Sequence, residues 1–186
     1  MNTTHLPKGA LVAGVVLLAW VPGLLAEGFI SDKPNVISFQ AVEARLVRLV
    51  VNTTANGQVC IDEFEVYGPG TGNLALASAG AKASASSALQ GYPIHQTAHL
   101  NDGKYGNDHS WIAAGSTREW AQIELPKPAR IEKVVLSRDR SGRYRDRVPD
   151  SYEIRVSADG QKWATVFRAN GILSPPDDPA DEEGLL

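Results

Sequence analysis

The chain has 186 residues, a formal net charge of −3, 17 glycines, 11 prolines and a single cysteine. So small a charge does not imply nucleic acid or a membrane surface as partner, and one cysteine excludes an intrachain disulfide. With an N-terminal leader set aside, about 160 residues remain, enough for one domain that buries its core without disulfide or metal.

Residues 1–26 read as an export signal. Lys8 opens the stretch, and Ala10 to Leu25 is an uncharged apolar run of 16 residues, short for a spanning helix and suited to a signal-peptide core. Pro22 and Gly23 break it just ahead of a cut after Ala26, and the alternative is an uncleaved membrane anchor. Either way the chain is expected to be secreted or to sit in the periplasm or cell envelope. An uncleaved anchor is the only membrane contact foreseen.

Val42 to Val51 is a β-branched run that reads as a strand, Asn52 to Gly57 as its turn, and Val59 to Tyr67 as the returning strand of a hairpin. Cys60 lies inside that second run and reads as a buried, inert thiol. Residues 73–88 alternate small apolar and polar side chains, a strand pattern written mostly in alanine. Pro93 to Leu100 suits one or two helical turns. Trp120–Leu125, Ile131–Ser137, Tyr152–Ser157 and Trp163–Phe167 are the clearest strands; Pro126 and Pro128 punctuate the first connection, and Asp159-Gly160 marks a tight hairpin. Residues 172–186 carry five acids and three prolines without a base, so a disordered acidic tail is expected there.

Five pieces recur in a familiar order: NLALASAGAKASAS, the Asp102-Gly103 loop closed by Trp111, WAQIEL, the arginine loop after IEKVVLS, and YEIRVSADGQKW. In these the chain resembles the discoidin family, which includes the C-type domains of coagulation factors five and eight and carbohydrate-binding module family 32. The resemblance implies an all-β fold, a galactose-binding-like jelly-roll β-sandwich. Domains of that kind finish with strands like ARLVRLVV and IDEFEVYG, which here stand first, at 44–51 and 61–68. The expectation is a circularly permuted sandwich over residues 37–170, its last two strands supplied from the N-terminal side; the competing expectation makes that pair the end of a preceding domain.

The loop from Asn101 to Ser110 is rich in carboxylate and amide oxygens, the donors that calcium takes in flexible geometry. The resemblance implies a structural Ca2+ on Asp102 and, across the permutation, Glu63, with Asn107 and Ser110 as further candidates. An Asx-turn loop satisfied by its own side chains is the plainer reading. Arg138, Arg140, Arg143, Arg145 and Arg147, with Tyr144, make a loop of planar donors suited to carboxylates, sulfates or sugar hydroxyls. The sugar-binding members pair such an arginine with a histidine and aromatic rings, which nominates Tyr92 and His95 beside Arg138, Arg140, Arg143 and Tyr144. The plainer reading is a solvated turn whose arginines pair with Asp139, Asp146 and Asp150. Trp111, Trp120 and Trp163 read as structural anchors.

No nucleophile elbow, histidine metal pair or phosphate loop frames a catalytic centre, so no enzyme is expected. The function foreseen is non-catalytic binding of carbohydrate. The alternatives are a protein–protein interaction or structural module with a cell-surface protein as partner, or the N-terminal fragment of a larger protein.

Overall fold

The computed structural model describes residues 28–169. The export signal expected over 1–26 and the acidic tail expected over 172–186 lie outside the described residues. Eight strands follow in order: β1 (Asn35–Thr54), β2 (Cys60–Ile61), β3 (Glu63–Tyr67), β4 (Lys82–Ala85), β5 (Trp111–Ile112), β6 (Glu119–Ser137), β7 (Pro149–Ser157) and β8 (Ala164–Ala169). Two 3-10 turns, Ala77–Ala79 and Thr97–Asn101, are the helical elements among the described residues.

The fold is an all-β sandwich built on two long strands. In β1 the side chains of Val47, Leu49 and Val51 are buried while their neighbours are half-exposed, the period-2 pattern that presents one face to a core. Its C-terminal half pairs with β6 through Leu46↔Glu124 to Val51↔Glu119, and on its other side with β7 through Leu46↔Ser157 to Thr54↔Pro149. Its N-terminal half pairs with the far half of β6, from Asn35↔Leu136 to Ala44↔Ala129. The register breaks between Ala44 and Leu46, where β6 passes through Pro126 and Pro128. Prolines cannot donate to a ladder and sit at bulges. The prolines therefore bend one strand, Glu119–Ser137, rather than separating the two strands that their positions suggest.

Residues of both halves bury into one cluster that includes Ile37, Val47, Leu49, Phe64, Val66, Trp111, Ile123, Leu136 and Ile154. β4 lines up beside the first half of β6, β3 beside the second, and β8 closes the other edge on β7. The β7–β8 hairpin turns at Asp159-Gly160 as the sequence indicates, with Gly160 at φ 78°.

The hairpin expected from 42–67 does not form. β1 and β3 both pair with β6, on its opposite sides. A strand such as β1, which buries Val47, Leu49 and Val51 on one face, is stable between two neighbours, and a two-strand ribbon would leave it a bare edge. The alternating run 73–88 also shortens, with only Lys82–Ala85 as strand, because alanine and serine give little to pack.

The links between strands draw three segments together at one end of the sandwich. The Cys60 amide donates to the Arg147 carbonyl at 2.9 Å, Ala55 to Val148 at 3.1 Å, and Asp139 to Ser31 at 3.0 Å.

Candidate functional site

The loops at that end are joined through Arg138. It leaves the end of β6 and is 1 % exposed, although arginine is rarely fully buried unless paired. Its Nε donates to the Asp146 carbonyl at 3.0 Å, one terminal nitrogen to Asp146 Oδ1 at 2.9 Å, and the other to Asn107 Oδ1 at 3.3 Å. One guanidinium thus ties the 101–110 loop to the 138–147 loop.

Asn107 passes the connection on. Ser110 Oγ donates to the Asn107 carbonyl at 2.9 Å, so it accepts from His95 Nδ1 at 2.8 Å. That assignment puts the hydrogen on Nδ1 and leaves a lone pair on Nε2 of a neutral ring. Burial lowers the His95 pKa first, and the nearby charges of Arg138 and Arg147 lower it further. A parallel bridge between His95 and Ser110 holds the backbone in place.

Around this buried network stand exposed rings. Tyr92 is 53 % exposed, with its ring centroid 5.9 Å from that of His95. Tyr144 is exposed and lies under two guanidinium groups, Arg143 at 5.4 Å and Arg138 at 5.8 Å from its centroid. The structure therefore links Tyr92, His95, Arg138, Arg143 and Tyr144 through an unbroken chain of contacts. Their roles differ from a uniform set of ligand contacts: Tyr92, Arg143 and Tyr144 are accessible, whereas His95 and Arg138 are buried supports.

Arg140 is not part of that group. Its Nε donates to Ser137 Oγ at 2.6 Å, its terminal nitrogen pairs with the buried Glu65, and its guanidinium stacks 3.8 Å from the Tyr105 centroid. Glu65 also accepts from Tyr105 at 3.2 Å and from Tyr67. The plainer reading of the loop holds in part. Asp146 takes Arg138 and Arg147, but Arg145 reaches Asp32, and Asp139 caps its own turn through Ser141 and Tyr144.

The expected calcium ligands divide. Glu63, at the start of β3, is fully buried, and its Oε2 accepts from Gly103 N at 3.2 Å, beside Asp102. Its neighbour Asp62 does the same one step on, accepting from Gly106 N at 2.8 Å. The second oxygen of each, Glu63 Oε1 and Asp62 Oδ1, is buried with no hydrogen-bond partner among the described residues. Burial pushes the Glu63 carboxyl up to about 9, and Asp62 is raised for the same reason. Asn107 and Ser110 do not join this pair, since their oxygens are committed to Arg138, His95 and each other. Asp102 directs Oδ1 to Lys104 N at 2.8 Å and Oδ2 to His109 Nδ1 at 3.1 Å.

Sequence reasoning missed Asp62, because a lone acid between two strands carries no pattern. It also passed over the pairing of Glu65 with Arg140 and Tyr105, which no spacing encodes. Of the tryptophans among the described residues, only Trp111 is fully buried, its indole donating to Ser87 O at 2.7 Å. Trp120 and Trp163 instead clasp Arg48 from either side, at 4.5 and 4.0 Å.

The family model described as the F5/8 type C domain matches residues 82–182. β4 to β8 fall within that match, and β1 to β3 precede it. No curated protein matches the chain, and no solved structure does.

Proposed function

Because the chain belongs to the F5/8 type C domain family, whose domains are generally non-catalytic binding modules, we propose that it binds carbohydrate at the loop end of the sandwich. The observation that carries this reading is the pairing of exposed rings with a rigid polar floor. Tyr92 and Tyr144 can stack on the apolar face of a pyranose, and Arg143 can donate to its hydroxyls. His95 and Arg138 hold that surface in place from beneath. A preformed shallow face of this sort costs little ordering on binding.

Calcium belongs to the same proposal in an altered form. Two buried carboxylates, each with one oxygen held by a glycine amide and one unpartnered, form a donor pair under the 102–106 loop. A hard cation there would be held by Glu63 and Asp62, and would offset the cost of burying both charges. We also propose that the domain is circularly permuted, with β1 and β3 entering from ahead of the matched segment, and that the chain is exported to the cell envelope or beyond. Both rest on the sequence readings given above.

The test is a glycan-array screen of the full chain, with and without a calcium chelator. One or more glycan hits are expected, weakened at least tenfold in Tyr92→Ala and in Tyr144→Ala. Melting of those variants should stay within about 2 °C of the parent, as suits exposed positions. No glycan retained, with capture of a defined cell-surface protein, would replace the carbohydrate reading with the interaction-module alternative.

A further inference from the structure

Asp102 lies in a setting that calcium does not explain. The 3-10 turn Thr97–Asn101 carries His99, Asp102 caps that turn, and the loop brings His109 back against both. One ligand atom from each of His99, Asp102 and His109 lies within 4.8 Å of the other two. We propose that these three residues form a binding site for a divalent transition-metal ion of the zinc class.

Three features favour such an ion. The first is spacing. Zinc bonds of about 2.0–2.1 Å in tetrahedral geometry set neighbouring ligand atoms roughly 3.3 Å apart. His109 Nδ1 and Asp102 Oδ2, at 3.1 Å, already stand close to that separation, and the hydrogen that Nδ1 gives the carboxylate in the metal-free protein moves to Nε2 when the ion takes its place. The imidazole rings of His99 and His109 have centroids 5.2 Å apart at an angle of 60°, an arrangement that a small rotation of either ring closes onto one point.

The second is protonation. His99 Nδ1 lies 3.1 Å from the Ile94 carbonyl oxygen, which can only accept, so Nδ1 carries the hydrogen and Nε2 the lone pair. Metal-binding histidines commonly donate their other ring N–H to a backbone carbonyl in this way. Asp102 is braced likewise, since Lys104 N holds Oδ1 and leaves Oδ2 on the side of the histidines.

The third is donor type. Two imidazole nitrogens and one carboxylate oxygen suit zinc, nickel or copper, and they discriminate against calcium, which takes oxygen alone. All three side chains are half-buried, so the remaining coordination positions open to water. The ion would clamp the turn to the end of the loop, next to Ser110 and the His95 bridge. It thereby stiffens the floor under Tyr92 without using Tyr92, Arg143, Tyr144 or the Glu63 and Asp62 carboxylates, and it takes Asp102 from the calcium set that the sequence suggests.

The experiment is zinc titration of the full chain by calorimetry at pH 7.5, after treatment with chelator, and in the presence of excess calcium. One equivalent of zinc is expected to bind and calcium is expected not to displace it. His99→Ala and His109→Ala should each weaken zinc at least tenfold, and the double variant should abolish the site. X-ray absorption at the zinc edge of the parent protein gives a reading independent of any variant, with two imidazoles expected in the first shell. Absence of zinc binding, unchanged affinity in the double variant, or fewer than two imidazoles at the metal would each overturn the proposal. Loss of glycan binding with zinc binding intact would leave it standing, so the two proposals fail separately.

Discussion

Replacing Arg138 by alanine tests whether this residue is a tie between loops or a contact for ligand. In the folded protein its guanidinium makes three hydrogen bonds from a position 1 % exposed. The Asp146 side chain is 48 % exposed, so water recovers most of what its carboxylate loses. The Asp146 carbonyl and Asn107 Oδ1 have no such ready replacement. Two bonds to a charged donor, at roughly 1.5 kcal/mol each after that discount, give a loss of about 3 kcal/mol. A domain of this size holds about 5–15 kcal/mol in all, and each lost kcal/mol lowers Tm by roughly 2–4 °C. Urea denaturation of Arg138→Ala should therefore show a lower midpoint at unchanged slope, and thermal melting a fall of about 6–12 °C. Asn107→Ala in the same background should cost less than it does alone, with a coupling of at least about 0.5 kcal/mol. If Arg138→Ala melts like the parent while glycan binding falls, Arg138 is a ligand contact and its structural assignment is wrong.

Glu63 has a pH signature. Its folded pKa lies near 9, above the carboxylate range, so the stability it contributes is complete below about pH 4.5 and is lost as pH rises through 9. In chelator, stability should decline across that window by up to about 1.4 kcal/mol per pH unit, and Glu63→Gln, which keeps the shape without the proton, should flatten the slope. Added calcium at about 100 times its dissociation constant should stabilise the parent by roughly 2.7 kcal/mol and leave Glu63→Gln unmoved. Gly68→Ala would drive a Cβ into the Arg130 carbonyl of β6, and denaturation should show a loss of about 1–3 kcal/mol. Burial lifts the Cys60 thiol to about 11, so a thiol reagent at pH 8 should label it only at the rate of unfolding. Rapid labelling of native protein would contradict its buried position.

Much of the sandwich was legible because its strands announce themselves twice, by alternation and by turns. β7 and β8 match the sequence reading to within three residues at each end, because Asp159-Gly160 can do little but reverse the chain. β1 was found as a strand and misplaced as a hairpin, since the sequence shows which residues want burial but not which neighbour supplies it. The same limit applied to the arginine loop. Five arginines in ten residues mark a cationic surface, yet Arg138 is sequestered and Arg140 turns to Glu65, 75 positions away. The loop acids were read as calcium donors by type. What could not be seen was that Asp102 faces His109 while Asp62 reaches under the same loop, a choice made by the fold of residues 101–110 and not by their identity.

The central position of β1 also bears on synthesis. This strand leaves the ribosome first, but the residues it pairs with are Glu119–Leu136 and Pro149–Ser157, roughly 70 to 110 positions later. At about 5–20 residues per second, the central strand of the sheet waits some seconds with both edges open. No smaller nucleus within the described residues can satisfy it, because β2 and β3 pair elsewhere. Nascent chains truncated before Ser157 should be captured by holdase chaperones, and release should coincide with emergence of β7. The domain is thus built to fold late and all at once.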